Sequence, residues 1–117
     1  MVGVGPRPQA GDIWFAGLDP DLENEPGGRR PVVVVSSPGL HSLPINTVVV
    51  VPLTGHDHGL VMQPTIAGGR TGLSRPSFAR PEDVRSIDAG RLERRLGATS
   101  AEQLAEIRKV LRYFLDL

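Results

Sequence analysis

The chain has 117 residues, 39% of them hydrophobic, and its 13 basic and 13 acidic residues leave no formal net charge. That length suits one domain with a single modest core, and the balanced charge speaks against a protein that coats nucleic acid by bulk electrostatics. With no cysteine there is neither a disulfide framework nor a thiolate zinc site, and apolar runs as short as Val32–Val35 and Val48–Leu53 cannot span a bilayer.

Residues 1–10 read as a disordered leader and 11–117 as one domain. No secretory signal pattern opens the chain, so the expected location is the cytoplasm. Gly11-Asp12 opens a strand whose β-formers run Ile13–Leu18, and Asp19-Pro20 closes it. Trp14 is expected in the core or as a wall of a binding groove, since aromatic side chains mostly contribute buried area. An acidic loop runs from Asp21 to Gly28. Val32–Ser36 is a second strand, and its unbroken apolar run implies burial on both faces or a central place in the sheet. Ser37–Asn46 reads as a longer loop and Thr47–Leu53 as the third strand, with Pro52 marking a strand end or bulge and Leu53-Thr54 already leaving the sheet.

Gly55–Gly59 is a polar turn. His56 and His58 flank Asp57 there, but His41 is the sole other histidine, and nothing completes a metal-ligand set. Leu60–Ala67 reads as a fourth strand interrupted by Pro64. Ser77–Ala79 and Asp83–Ile87 are short strands joined through Arg80-Pro81-Glu82, and Arg91–Gly97 stays open between a helical turn and a strand. Ser100 with Gln103 forms a capping box. Leu104, Ile107, Leu111 and Phe114 follow on one face at helical spacing, with Val110 beside them. These elements point to a mostly β, α+β domain: a small twisted barrel or two-sheet fold of about six to seven short strands with a C-terminal amphipathic helix.

The chemistry-bearing stretch is Glu25-Pro26-Gly27-Gly28-Arg29-Arg30-Pro31. The glycines let the backbone turn tightly and approach a ligand. Arg29 and Arg30 place two planar guanidinium forks at the mouth of that turn, a geometry suited to phosphate oxygens. Pro31 starts the following strand, where a missing N–H does least harm. Taken alone, the same stretch is better described as a hairpin loop with solvated arginines. Twelve of the thirteen basic residues are arginine, and most lie after residue 60, where Arg80 and Arg85 could extend a track for a phosphate backbone.

Four blocks in order carry a resemblance. They are Gly11-Asp12-Ile13-Trp14-Phe15 with Leu18-Asp19-Pro20; Glu25-x-Gly27-Gly28-x-Arg30-Pro31-Val32; Val50-Val51-Pro52-Leu53-Thr54; and Val84-Arg85-Ser86-Ile87-Asp88 with Arg91-Leu92. Together they resemble the MazF/PemK family of toxin endoribonucleases from bacterial toxin–antitoxin modules. The resemblance implies an SH3-like small barrel working as a homodimer. It also implies cleavage of single-stranded RNA without metal or cofactor, by attack of a ribose 2′-hydroxyl on the adjacent phosphodiester, and neutralisation by a cognate MazE-like antitoxin. The family's catalytic arginine falls on Arg30 and its threonine on Thr54, with Glu25 a contributory carboxylate and candidate base. Gly27, Gly28, Arg29, Trp14, Ser77, Arg80 and Arg85 are the expected RNA contacts. The chain departs from the family at Asn24-Glu25-Pro26, at Pro76 and at Asp83, which stands nearest to a family glutamine. Two rivals share the fold: a gyrase-poisoning toxin that binds without cutting, and a degenerate module that binds antitoxin alone.

Overall fold

A computed structural model of the protein describes residues 7–18 and 28–117. Glu25, Gly27 and most of the acidic loop lie outside the described residues, as do the Asp19-Pro20 stop and the first six residues of the expected leader. Within that leader, Gln9 is tied to the domain: its N–H donates to Asp12 Oδ2 and its carbonyl accepts from the Asp12 N–H, both at 2.9 Å.

The described elements are β1 (Asp12–Gly17), β2 (Arg29–Val34), α1 (Pro38–His41), β3 (Thr47–Thr54), β4 (Thr65–Ile66), β5 (Ser77–Ala79), β6 (Arg85–Asp88), β7 (Leu92–Ala98) and α2 (Ala101–Leu115). All strand pairs are antiparallel, in the order β4-β5-β3-β2-β1-β7, and β6 pairs with β3 as well. Five strands therefore run β6-β3-β2-β1-β7. In a flat sheet the outer two would stand about 19 Å apart, four gaps of about 4.8 Å. Yet only Ala89–Arg91 separates β6 from β7, and the four Cα steps from Asp88 to Leu92 reach about 14 Å at most. The sheet has to curl, and it forms the small half-barrel that the strand count and the resemblance imply.

The valine run of β2 explains itself in this geometry. Val33 packs on one face with Ile13, Val51, Leu53, Ile66, Ala79 and the α2 residues Ile107 and Leu111. Val32 and Val34 pack on the other with Trp14, Ala16, Leu18, Val48, Val50 and Ile87. Strand side chains alternate faces, so a strand buried on both sides must be apolar at every position. The capping box is formed: Ser100 Oγ accepts from Gln103 N–H and Gln103 Oε1 accepts from Ser100 N–H.

Several elements differ from the sequence expectation. The chain does not leave the sheet at Pro52, because β3 continues to Thr54 and exchanges one partner for another there. Leu60–Ala67 is a strand only over Thr65–Ile66. Before it, Leu60 and Val61 are exposed, and the Gln63 N–H turns back onto the Leu60 carbonyl. The 37–46 loop contains the single turn α1, started by Pro38 and by the Ser37 hydroxyl, which caps Gly39 N–H. Asp83 belongs to a 3-10 turn (Pro81–Asp83), and β6 begins at Arg85. The ambiguous 91–97 stretch is the strand β7, recruited by the open edge of β1. Phe114 is 41% exposed rather than buried, since α2 outruns the sheet and its last buried residue is Leu111.

Gly72 has φ 73°, and a Cβ there would collide with the Leu96 carbonyl of β7. Gly72→Ala should therefore cost about 2–3 kcal/mol through overpacking and left-handed strain, read as a lowered thermal midpoint with the antiparallel β signature retained at low temperature.

Candidate active site

Strands β1, β2, β3 and β5 gather the polar chemistry on the sheet face opposite α2. Ala16 pairs with Arg30. Val32 pairs with Pro52, and the same register carried two residues on sets Arg30 beside Thr54. Thr54 in turn pairs with Phe78. Directly opposed residues share a face, so Ala16, Arg30, Thr54 and Phe78 stand in one row. Alternation also places Arg80, which follows Ala79, on this side, and Arg85, opposite Val50, with it.

Local backbone geometry delivers Arg30 to the row. Gly28 sits at φ 62°, a conformation side chains resist, and its carbonyl accepts the Leu18 N–H, joining the end of β1 to the start of β2. Two residues later, Arg30 Nη1 donates to the Leu53 carbonyl at 3.3 Å, which draws the guanidinium across β3 toward Thr54. Burial holds the Arg30 pKa below the ordinary arginine value, and the neighbouring Arg80 charge lowers it further, while Asp83 acts the other way. The Thr54 hydroxyl oxygen accepts the His56 N–H at 3.2 Å. That bond occupies an acceptor position and leaves the hydroxyl proton to be donated.

A second cation is held close by. The Arg80 N–H donates to the Pro52 carbonyl at 2.9 Å. Its Nε meets Asp83 Oδ2 at 3.1 Å and Glu82 Oε2 at 3.4 Å, and Gln63 Nε2 donates to the same Glu82 oxygen at 2.6 Å. The carboxylates offset the repulsion that two adjacent guanidinium groups would otherwise feel.

The remaining expected contacts are placed elsewhere. Arg29 alternates to the opposite side of β2, where its Nε pairs with Glu93 Oε2 of β7 at 3.0 Å. Ser77 is buried on the α2 side beside Ile66. Trp14 is a core side chain, 8% exposed, whose Nε1 donates to Asp12 Oδ2 at 3.4 Å. The other Asp12 oxygen receives Arg95 Nη2 at 3.2 Å. Sequence reasoning missed Phe78 and the Gln63–Glu82–Arg80 link. The partner exchange of β3 puts them at the site, and no local pattern announces it. Among the described residues, no group of three or more histidine, aspartate and glutamate side chains could hold a metal ion.

Comparison with known proteins shows the family and the fold. Residues 9–115 match the family model described as PemK-like, MazF-like toxin of type II toxin–antitoxin system. The chain is 35% identical over 112 residues to endoribonuclease MazF9 of Mycobacterium tuberculosis, covering 92% of this chain and 95% of that one. It also resembles the crystal structure of MazF from Deinococcus radiodurans, with TM-score 0.78, 27% identity, and 94% and 97% of the two chains covered. A MazE–MazF structure from the same organism aligns with TM-score 0.76 at 26% identity, covering 94% of this chain and 97% of that one.

Proposed function

This chain belongs to the PemK/MazF toxin family, and from that premise we propose that it is an endoribonuclease toxin that cuts single-stranded RNA at short sequence motifs and is neutralised by a MazE-like antitoxin. The observation that carries the proposal is the placement of Arg30 beside Thr54 on one open row of the sheet. The endoribonuclease name of a relative 35% identical supports it. An RNA phosphate entering this row meets the Arg30 fork, while the Thr54 hydroxyl donates to a non-bridging oxygen.

The ribose 2′-oxygen attacks the adjacent phosphorus, and its proton passes to a base. The bond from phosphorus to the 5′-oxygen breaks, that oxygen takes up a proton, and a 2′,3′-cyclic phosphate and a 5′-hydroxyl remain. Negative charge accumulates on the non-bridging oxygens as the pentavalent centre forms, and fixed donors aimed at those oxygens supply the largest part of such catalysis. Glu25 is the chemically easier base, because arginine, even with a depressed pKa, releases its proton reluctantly at neutral pH. The protein acts in the cytoplasm as a homodimer. The exposed apolar end of α2, with Tyr113, Phe114, Leu115 and Leu117, offers the kind of surface that association covers.

Cleavage of a long, lightly structured RNA in EDTA tests the proposal. Discrete cuts ending in 5′-hydroxyls should appear with the wild type. Thr54→Ala should lose about 10²–10³-fold in rate, the usual cost of one oxyanion donor, and Arg30→Ala at least as much. No cleavage by folded protein, with inhibition of gyrase supercoiling instead, would move the function to the non-enzymatic rival. If Glu25 is the base, Glu25→Gln should flatten the acidic limb of the pH–rate profile; an unchanged profile would remove it from that role.

Binding to a non-cleavable RNA analogue should weaken steeply with salt, since each neutralised phosphate releases counterions. Asp83→Asn frees Arg80 of a carboxylate. It should strengthen binding and steepen the log–log salt slope by up to about one, whereas Arg30→Ala should make the slope shallower by about one.

A further inference from the structure

We propose that Phe78 is the stacking surface for a nucleobase flanking the scissile phosphate, and so a substrate-positioning residue of this enzyme; this rests on the ribonuclease reading above. Phe78 pairs directly with Thr54 on one side and with Thr65 on the other. Opposed side chains in such pairs have Cβ atoms about 4.5–5.5 Å apart, so the ring borders the hydroxyl that would touch the phosphate. Its flanking neighbours in the row are two threonines, short side chains that do not wall off the ring.

Core packing does not account for this aromatic. Phe78 is half-buried, and among the described residues it belongs to neither apolar cluster, while Ser77 and Ala79 on either side of it are buried. Of the five aromatic residues, Trp14 is in the core, Phe15 lies under the Arg94 guanidinium at 6.0 Å, and Tyr113 and Phe114 end α2. Phe78 is the aromatic that shares a row with Arg30 and Thr54. A phosphate held there carries a nucleoside on each side, and the one that runs toward β5 arrives over this ring.

Stacking on an aromatic face is tolerant of sequence, because every base has a π-face. Phe78 therefore does not spell the motif by itself. It holds one flanking nucleoside at a fixed height, which orients the neighbouring ribose for in-line attack and leaves polar neighbours such as Arg80 to read the edge of that base.

The test uses the cleavage site mapped with wild-type protein. An oligoribonucleotide containing that site is made non-cleavable by 2′-O-methylation of the attacking ribose, and each flanking nucleoside in turn is replaced by an abasic residue. With the wild type, one of the two replacements should weaken binding roughly ten- to a hundredfold. With Phe78→Leu and Phe78→Met, which keep an apolar side chain, intact RNA should bind correspondingly less well and the abasic penalty should vanish; Phe78→Tyr should restore it. Thermal melts of all variants separate stacking from loss of fold. An abasic penalty as large in folded Phe78→Leu or Phe78→Met as in wild type would overturn the role of Phe78 while leaving the ribonuclease standing. A wild type that produces no mapped cut removes the ribonuclease reading itself, and this inference with it.

Discussion

The structure depends on how strand β3 divides its hydrogen bonds. One edge of β3 is paired with β2 from Val50 to Pro52. The other edge is shared: Thr47–Val50 pair with β6, and Leu53–Thr54 pair with β5. Pro52 stands at the exchange. The N–H and C=O of a strand residue point to the same side, and the Pro52 carbonyl accepts Arg80 N–H. The missing N–H thus faces the gap between β6 and β5, where no ladder bond is lost. A proline that would break an evenly paired strand is accommodated because the pairing is already divided there. Arg80 and Phe78 reach the site because β5 takes over at that point.

Electrostatics follow from this layout. Two guanidinium groups close together in a partly desolvated place repel strongly unless something of opposite sign lies within reach. Asp83 and Glu82 provide it from the 3-10 turn after β5, and Gln63 steadies Glu82 from before β4. Arg30 is left with its charge less stabilised than it would be in water. An anion placed there would relieve that deficit and would meet donors already in place.

The amino-acid sequence carried the domain's class well. The unbroken valines marked β2, although the strand runs Arg29–Val34 and not Val32–Ser36, the capping box defined α2, and the blocks around Arg30 and Thr54 drew attention to two residues that the sheet sets side by side. What it did not carry lies in long-range pairing. The 91–97 stretch has no decisive period, and it is a strand because β1 offers an unpaired edge. Phe114 keeps helical spacing but lies past the last sheet residue that could cover it. Arg29 looks equivalent to Arg30 in the motif, and strand alternation sends it to the other face, toward Glu93. Phe78 sits in a three-residue strand whose importance comes entirely from standing next to Thr54.

The pairing of β1 with β7 joins the two ends of the domain, Asp12 against Ala98, and this has a bearing on when the protein can act. Chains are synthesised at about 5–20 residues per second, and until β7 has emerged β1 has an open edge and the sheet has nothing to curl toward. Folds dominated by such distant pairings also complete slowly, on millisecond to second scales. The face that gathers Arg30, Thr54 and Phe78 is therefore complete only once β5 has been made, and the curl of the sheet only once β7 has. Any activity seated on this face thus waits for nearly the whole chain to be made.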